Sequence, residues 1–492
     1  MQYLSTRDSA LRVSAQEAIV RGLAPQSGLF VPETFPQADL DEWKNLSYPE
    51  LAEKVLAGFL TDYSADFLHT ATASTYGAAF GGKAGETVKV RDGLYSLELW
   101  HGPTCAFKDM ALQMLPHLLT ASLRKTGETR TACILVATSG DTGKAALDGF
   151  HDVPGTKIMV YYPVDGVSPM QKLQMATQEG ANVEVIAIHG NFDDAQSAVK
   201  RIFTDDETRA QLDRDGMMLS SANSINWGRL APQIAYYVSA YCDMVKAGTI
   251  RQGDRINVCV PTGNFGNILA AYIAKQMGLP VNKFICASNR NNVLTDFFKK
   301  DGEYNRNRDF YTTTSPSMDI LISSNLERLL FFASDFDDRM VAELMAKLNG
   351  EGSYKVASDV FAKIAADFDA GCCDDEHAAE TIHRLWTEEK YLCDTHTAVA
   401  VRVYEDYRAR TGDETPTVIA STASPFKFCR AVIEALGGTL EKDDVTQLDV
   451  LTGLTGVPAP APLAALAGKT PRFDRVVDKA GILSTVALLK DL

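Results

Sequence analysis

The sequence predicts an α/β protein whose core is a parallel sheet covered by helices. From about residue 91, short runs of β-branched residues alternate with turn residues and then with helical periodicity, a pattern typical of parallel sheets. The chain has 492 residues, of which 46% are hydrophobic and 23% charged, which is enough for two or three domains with substantial cores. Open α/β sheets bind ligands at the carboxyl ends of their strands, so functional residues are expected in the loops that follow the strands.

The first part of the chain differs in pattern from the rest. Residues 1–90 are expected to form an accessory N-terminal domain, with helices over 15–23 and 40–60 and a short extended piece over 28–32. Residues 91–455 are expected to form the catalytic region, in two lobes.

Within the catalytic region, apolar runs that end in loops rich in Gly, Ser, Asn or Pro predict strands. The predicted strands are 94–99, 131–137, 157–162, 183–188, 256–260, 284–287 and 417–420. From about 300 to 410 the strand pattern gives way to amphipathic helices, such as 335–348 and 358–368, which predicts a helical insertion. Closely spaced prolines then mark a loop in a C-terminal segment over 456–492.

Charge and composition limit the partners. A formal net charge of -15 at pH 7 disfavours nucleic acid and anionic membrane. The chain shows no apolar run long enough to span a membrane and no signal-peptide pattern, so a cytoplasmic protein is expected. The nine cysteines lack the spacing of zinc or disulfide frameworks, and His377 and His383 lack a third ligand, so no metal is expected.

Lys108 stands where a predicted strand passes through a Gly-Pro turn into an apolar helix. A primary amine next to apolar Ala106 and Phe107 is suited to hold an aldehyde cofactor as a Schiff base, since desolvation favours the neutral, nucleophilic amine. Taken alone, the same lysine also fits an ordinary solvated residue at a helix start.

The loop after strand 131–137 carries hydroxyls and a helix start. Ser139, Thr142 and the free backbone N–H groups of the helix suit a carboxylate or phosphate. The nucleotide-binding Walker pattern fails, because Thr138 and Ala145 occupy positions where it requires a glycine and a hydroxyl residue. A capped helix without a ligand stays open as the alternative.

The loop after strand 256–260 reads Gly263-Asn264-Phe265-Gly266-Asn267 and precedes another helix. Two glycines three positions apart let backbone amides converge on a phosphate, and the helix dipole favours its charge. By itself this pattern leaves a dinucleotide or a phosphate ligand open.

Two further segments supply donors. Asn223, Ser224 and Arg229 lie in a polar stretch before a predicted helix, and the planar guanidinium suits an oxyanion. A helix cap and a surface salt bridge would explain the same stretch. Thr422 follows strand 417–420, and a hydroxyl at that strand end suits a heteroaromatic ring nitrogen or a simple turn.

Four motifs together resemble threonine synthases, which are pyridoxal 5'-phosphate enzymes of the tryptophan-synthase-β type, PLP fold type II. The motifs are HGPT-x-AFKD at 101–109, ATSGDTG at 137–143, NSINW-x-R at 223–229 and PTGNFGN at 261–267. The similarity extends to the start of the chain and is strongest to the fungal and enterobacterial branch, which has a long N-terminal domain.

The resemblance implies a role for each site residue. Lys108 would form the Schiff base with pyridoxal 5'-phosphate, Thr422 would meet the pyridine nitrogen and Asp141 would lie near the ring hydroxyl. The cofactor phosphate would lie at Gly263, Asn264, Phe265, Gly266 and Asn267. The substrate phosphate and carboxylate would bind Ser139, Thr142, Asn223, Ser224 and Arg229.

The resemblance also implies a reaction. The enzyme would convert O-phospho-L-homoserine and water to L-threonine and phosphate, the last step of threonine biosynthesis, as a monomer or homodimer. A serine/threonine dehydratase-like lyase is the first alternative, although it needs no second oxyanion pocket of the kind that Arg229 and Asn223 predict. A non-catalytic relative that binds phosphorylated ligands is the second, and the retained Lys108 argues against it.

Overall fold

The computed structural model describes residues 1–190 and 192–492. The N-terminal part is a small antiparallel sheet, in the order β2-β1-β3, packed beside helices. Its elements are β1 (Tyr3–Ser5), β2 (Asp8–Val13), α1 (Ala15–Arg21), β3 (Phe30–Pro32), α2 (Leu40–Trp43), α3 (Tyr48–Phe59) and α4 (Ala65–Thr75).

The prediction of a single helix over 40–60 is wrong, because α2 and α3 are separate helices. Ser47 starts α3 as its N-cap and forms a reciprocal capping box with Glu50. Pro49 lies in the first turn of α3, where its missing N–H costs no hydrogen bond. These local start signals outweigh the amphipathic periodicity that runs across both helices.

The part of the chain from residue 86 onwards alternates strands and helices, as the sequence pattern predicts. Its first half contains β4 (Glu86–Arg91), β5 (Leu94–Glu98), α5 (Asp109–Leu112), α6 (Leu115–Thr126), β6 (Thr131–Ala137), α7 (Asp141–Phe150), β7 (Thr156–Pro163), α8 (Pro169–Ala176), β8 (Val183–His189), α9 (Phe192–Thr204), α10 (Asp206–Arg214), β9 (Met217–Ser220), α11 (Trp227–Leu230), α12 (Pro232–Lys246), β10 (Ile256–Pro261), α13 (Gly266–Gln276), β11 (Val281–Ser288) and α14 (Val293–Lys299).

The remainder of the chain is richer in helix. It contains β12 (Glu303–Asn305), α15 (Leu326–Ala333), α16 (Asp338–Gly350), β13 (Ser353–Lys355), α17 (Ser358–Asp367), β14 (Phe368–Cys372), α18 (Asp375–Glu389), α19 (Thr395–Thr411), β15 (Thr417–Ser421), α20 (Cys429–Ala435), α21 (Thr446–Thr455), α22 (Ala461–Ala464), β16 (Val476–Asp478) and α23 (Ile482–Thr485). Short 3₁₀ turns at Pro316–Met318 and Pro425–Phe428 interrupt it.

Two sheets form the framework of residues 86–478. The larger has the order β14-β11-β10-β15-β5-β4, parallel except for β4, which runs antiparallel to β5. The smaller has the order β16-β8-β7-β6-β9 and is parallel. The parallel-sheet architecture expected for PLP fold type II is therefore confirmed.

The helical insertion expected over 300–410 also contains strands. The helices α16 and α17 lie where the pattern predicted them, within a few residues. The segment Phe368–Cys372, however, is β14 and pairs with β11 at the edge of the larger sheet. Its five residues include Asp369 and Gly371, which interrupt the apolar run that a buried strand would show.

Two further features of the described residues are the lengths of the apolar helices and the state of the cysteines. Across the part of the chain that the structure describes, no helix combines the length and apolarity needed to cross a membrane. All nine cysteines lie in that part and are free thiols, of which Cys372 is exposed and the others are buried.

Candidate active site

The loops that follow strands of both sheets line one cavity of about 990 Å³. The loops after β5, β10 and β15 come from the larger sheet, and those after β6 and β9 come from the smaller one. The predicted site residues that line the cavity are Lys108, Ser139, Thr142, Asn223, Ser224, Arg229, Gly263, Asn264, Phe265, Gly266, Asn267 and Thr422. Asp141 lies behind this surface, in contact with Lys108.

Lys108 is 7% exposed and is fixed by the end of β15. The preceding Phe107 donates its backbone N–H to the carbonyl of Thr422 at 2.8 Å, and Ala106 pairs with Ala423. Burial lowers the pKa of the Lys108 amine to about 8, although the carboxylate of Asp141 acts in the opposite direction. Part of the amine is therefore neutral near physiological pH.

Asp141 is the acidic partner of two lysines. Its Oδ1 lies 2.7 Å from Lys427 Nζ and accepts from Gln171 Nε2 at 2.8 Å, and its Oδ2 lies 3.4 Å from Lys108 Nζ. Burial opposes ionisation, but Lys427 and then Lys108 hold the pKa of this carboxyl well below its usual range. Asp141 is therefore ionised and orients the Lys108 amine.

The loop Gly263–Asn267 forms a cup at the start of α13. Phe265 is its N-cap and has a left-handed φ of +64°. A Cβ at Gly263 would lie 2.5 Å from the carbonyl oxygen of Ser317, so only glycine allows the two segments to approach. The cup thus depends on a contact between two loops.

Asn267 indicates what the cup holds. Its Oδ1 accepts from Tyr236 at 2.8 Å and also from Tyr237. Its buried Nδ2 has no hydrogen-bond partner among residues 1–190 and 192–492. A buried donor beside the free N–H groups of a helix start fits an anion such as the cofactor phosphate.

Arg229 forms a second anion site in the same cavity. Its guanidinium donates to the carbonyl of Ala222 at 2.8 Å and to Thr142 Oγ1 at 3.3 Å. Burial lowers its pKa to about 10, so it stays charged at neutral pH. Within the described residues no carboxylate lies within ion-pair distance of it. A buried cation without a counter-ion favours an anionic ligand.

The other donors lie around these two sites. Ser224 accepts from Asn325 Nδ2 at 3.0 Å, next to the cup, while Ser139 and Asn223 line the cavity without a comparable tie to the cup. Asn325 also donates to the carbonyl of Asn264 at 2.9 Å. The segment before α15 therefore joins the cup to the stretch that carries Arg229.

Sequence reasoning missed several residues that contact Lys108 or its partner. Ser317 Oγ lies 3.0 Å from Lys108 Nζ, and Lys427 and Gln171 bind Asp141. All three are distant from Lys108 along the chain, so no local motif connects them with it.

Two histidines near the site, His396 and His101, are each paired with a carboxylate. His396 lines the cavity and pairs with Asp394 at 2.7 Å, as the Asp-x-His spacing of the two residues allows, although this spacing alone indicates no role in the site. His101 lies near Lys108 in sequence but pairs with Glu98 at 2.7 Å, with Glu86 at 3.4 Å. His101 is thus held in a polar cluster at the end of β5.

Comparison with known proteins gives three family matches along the chain. Residues 2–76 match the threonine synthase N terminus, residues 84–422 match the pyridoxal-phosphate dependent enzyme family and residues 397–485 match the threonine synthase C-terminal family. The match to the pyridoxal-phosphate dependent enzyme family thus covers more than half of the chain.

Relatives agree with these matches. Human threonine synthase-like 1 is 41% identical over 457 residues, which cover 88% of this chain and 60% of the relative. The chain therefore spans about 60% of the length of such relatives. Threonine synthase of Saccharomyces cerevisiae is 36% identical over 476 residues, with 90% and 91% of the two chains covered.

Solved structures agree as well. The PLP-bound threonine synthase from Brucella melitensis superposes with a TM-score of 0.87 at 35% identity, covering 100% of this chain and 99% of the other. The yeast threonine synthase gives a TM-score of 0.86 at 33% identity, covering 100% and 97%. With an amine of lowered pKa and a cup that fits its phosphate, pyridoxal phosphate is the cofactor. The chain belongs to the threonine synthase family of pyridoxal-phosphate dependent enzymes.

Proposed function

We propose that this protein is a threonine synthase that converts O-phospho-L-homoserine and water to L-threonine and inorganic phosphate, the last step of threonine biosynthesis. The observation that carries the proposal is the buried Arg229 guanidinium, which faces the same cavity as Lys108 and has no carboxylate partner among the described residues. A substrate with its own phosphate needs an anion site separate from the one that holds the cofactor phosphate, and Arg229 supplies it.

The proposed cofactor contacts follow from the cavity. Gly263, Asn264, Phe265, Gly266 and Asn267 would hold the cofactor phosphate, Lys108 would bind the aldehyde carbon and Thr422 would face the pyridine nitrogen. Bound there, pyridoxal phosphate supplies a conjugated ring that accepts electrons from the α-carbon of an attached amino acid. Asp141 stays ionised beside Lys108 and keeps its amine directed towards the cavity.

Lys108 is the base in this proposal. When its amine is free, it takes the proton from the substrate's Cα, and a pKa of about 8 leaves part of it unprotonated near pH 7. Asp141 stabilises the ammonium that results, since it lies 3.4 Å away and is itself shared with Lys427. The amine can therefore accept and release one proton without moving out of its pocket.

Arg229 acts on the leaving group. Departure of the γ-phosphate increases its negative charge, and the guanidinium and Thr142 hydroxyl, 3.3 Å apart, would bind that charge together with Ser139. Asn223 and Ser224 would orient the carboxylate or the phosphate. Removal of a proton from Cβ supplies the electron pair that expels the phosphate from Cγ. Protonation at Cγ, addition of the hydroxyl of water at Cβ and return of a proton to Cα then complete the reaction, and the remaining proton of the water balances the released phosphate.

The deciding experiment gives O-phospho-L-homoserine to the purified, cofactor-saturated protein and measures threonine, 2-oxobutyrate, ammonia and phosphate. Equal amounts of threonine and phosphate support the proposal. Release of phosphate with 2-oxobutyrate and ammonia would instead indicate a dehydratase-like phospho-lyase. Binding without any product would indicate a non-catalytic relative.

The same proposal covers the setting of the reaction. We infer a cytoplasmic enzyme that acts on a small molecule as a monomer or homodimer, without nucleic acid or membrane partners. The net charge of -15 supports the last point, because it repels polyanionic surfaces. Light scattering of the holoenzyme distinguishes the two oligomeric states.

A further inference from the structure

The 3₁₀ turn Pro316–Met318 places one hydroxyl against the cofactor lysine. Ser317 Oγ accepts a hydrogen bond from Lys108 Nζ at 3.0 Å and donates to Asp141 Oδ2 at 3.4 Å. These side chains are the hydrogen-bond partners of the hydroxyl within the described part of the chain. The hydroxyl is therefore directed at the reactive amine and at the carboxylate that pairs with this amine.

The backbone of Ser317 is held by a buried histidine. His396 Nε2 accepts from the Ser317 backbone N–H at 3.1 Å, and its Nδ1 lies 2.7 Å from Asp394 Oδ2. Because Nε2 is an acceptor, the ring proton lies on Nδ1 and is donated to Asp394. The histidine and the aspartate are 2% and 0% exposed, so water does not compete for these bonds.

The start of helix α19 fixes this pair. Asp394 is the N-cap of α19 and accepts from the backbone N–H of Thr397 at 3.1 Å. The neighbouring Thr395 donates its hydroxyl to the carbonyl of Thr314 at 2.7 Å. One helix start therefore holds the loop at two points, Thr314 and Ser317.

A third contact closes the arrangement. The Ser317 carbonyl oxygen would lie 2.5 Å from a Cβ at Gly263, so the loop packs closely against the phosphate cup. Asn289, just after β11, donates to Ser315 Oγ at 3.1 Å and to Asp319 Oδ1 at 2.7 Å. The loop that carries the turn is thus held by α19, by the end of β11 and by the glycine loop.

We propose that Ser317 is a positioning residue for the free Lys108 amine, and that Asp394 and His396 act on this amine through Ser317. A lysine side chain has four rotatable carbon–carbon bonds, and this amine must return to one position each time it is released from the cofactor. The hydrogen bond from Lys108 to Ser317 gives it that position. The inference rests on the proposed role of Lys108 and is independent of the identity of the substrate.

The test measures Lys108 itself, in the cofactor-free protein. The protein is treated with cyanate between pH 6 and 10, and carbamylation of the Lys108 peptide is quantified by mass spectrometry. Ser317→Ala removes an acceptor that favours the ammonium, so the apparent pKa of Lys108 should fall by about one unit. The charged groups that face the amine stay in place in this variant: Asp141, Lys427 and Arg229.

Matched variants separate position from fold. Ser317→Thr keeps the hydroxyl and should restore the native profile. Thr314→Val removes a hydroxyl in the same loop that contacts Asp375 at 3.0 Å, away from Lys108, and should leave the profile unchanged. A Ser317→Ala protein that folds and labels like the native protein would overturn the proposal.

A double-mutant cycle tests the histidine. His396→Ala should shift the Lys108 profile in the native background and have no added effect in Ser317→Ala, because its path to the amine is then gone. His396→Gln offers an acceptor for the Ser317 N–H and should retain most of the native behaviour, which also serves if His396→Ala does not fold. Additive shifts of His396→Ala and Ser317→Ala, or a further shift when His396→Gln is added to Ser317→Ala, would show that His396 does not act through Ser317.

Discussion

At the scale of single residues, the protonation of Lys108 depends on a carboxylate, Asp141, that it shares with Lys427. Asp141 pairs with fully buried Lys427 at 2.7 Å and with Lys108 at 3.4 Å. The shorter contact satisfies most of the carboxylate charge, so burial still lowers the pKa of Lys108. A single lysine facing Asp141 would be held more firmly as an ammonium.

Lys108→Ala should abolish cofactor attachment and turnover while the protein stays folded. Asp141 keeps its partner Lys427, so the substitution leaves no unpaired buried charge. Borohydride reduction followed by peptide mapping tests attachment, and a melting curve tests the fold. A pyridoxyl adduct on another lysine in the native protein would contradict the assignment.

Arg229→Ala should raise KM for O-phospho-L-homoserine by roughly 100-fold or more, since a buried charged contact of this kind contributes about 3 kcal/mol. Cofactor retention should change little, because the cup at 263–267 is separate. Arg130→Ala is the matched control: this arginine lines the same cavity but is paired with Glu128 at 2.6 Å and should matter little. Equal loss of cofactor in Arg229→Ala would show that the two anion sites are assigned wrongly.

The lowered pKa of Lys108 predicts a pH limb. Capture of pyridoxal phosphate by the cofactor-free protein requires the neutral amine, so the rate should rise about tenfold per unit below pH 8 and level off above it. Absorbance after rapid mixing between pH 6.5 and 9.5 measures this rate. A limb centred near 10.5 would mean that the amine is fully solvated.

At the scale of elements, the sequence was informative where strands are buried on both faces. The predicted strands β5, β6, β7, β8, β10, β11 and β15 were confirmed to within about three residues at each end. The strands missed in these two sheets, β4, β9, β14 and β16, lie at the sheet edges in the part of the chain described. Edge strands carry charged or interrupted patterns because one side lacks a partner, so apolar runs do not reveal them.

Separation along the chain explains which site residues could be identified from the sequence. The glycine cup and the Lys108 motif are local, since each lies within one strand–loop–helix unit. Ser317 lies 209 positions from Lys108, and its contact depends on α19 and β11 meeting the same loop. Only tertiary structure brings these elements together, so no local pattern could assign its role.

Gly263→Ala tests how loops cooperate in the cup. The new Cβ would lie 2.5 Å from the Ser317 carbonyl oxygen, so the loop 315–319 has to move. We expect cofactor affinity to fall at least tenfold and Lys108 reactivity to change with it, because one contact supports both. Gly350→Ala, which meets nothing within 4 Å, is the control. Unchanged cofactor binding in Gly263→Ala would show that the loops adjust independently.

At the scale of the whole molecule, the chain end completes the smaller sheet. Strand β16 pairs with β8, with Val476 opposite Ala187, and the residues after it cover an apolar cluster beneath the sheet. Ile482 and Leu489 are 1% and 0% exposed there. The C-terminal residues are therefore structural parts of the smaller-sheet lobe, by which we mean the smaller sheet and the helices packed on it, including the loop of Ser139 and Thr142.

Removal of residues 476–492 should destabilise this lobe selectively. The deletion uncovers the apolar cluster that Ile482, Val486 and Leu489 fill, and burial of three such side chains contributes roughly 5 kcal/mol. It also removes the hydrogen bond between Thr485 and Tyr161, 2.7 Å long, at the centre of the lobe. Hydrogen exchange should then show lost protection in β6, β7 and β8, while β10, β11 and β15 stay protected. Val476→Ser, at a position 46% exposed, should change neither pattern and serves as the control. Uniform loss of protection across both sheets would mean that the molecule unfolds as one cooperative unit and that the lobe has no separate stability.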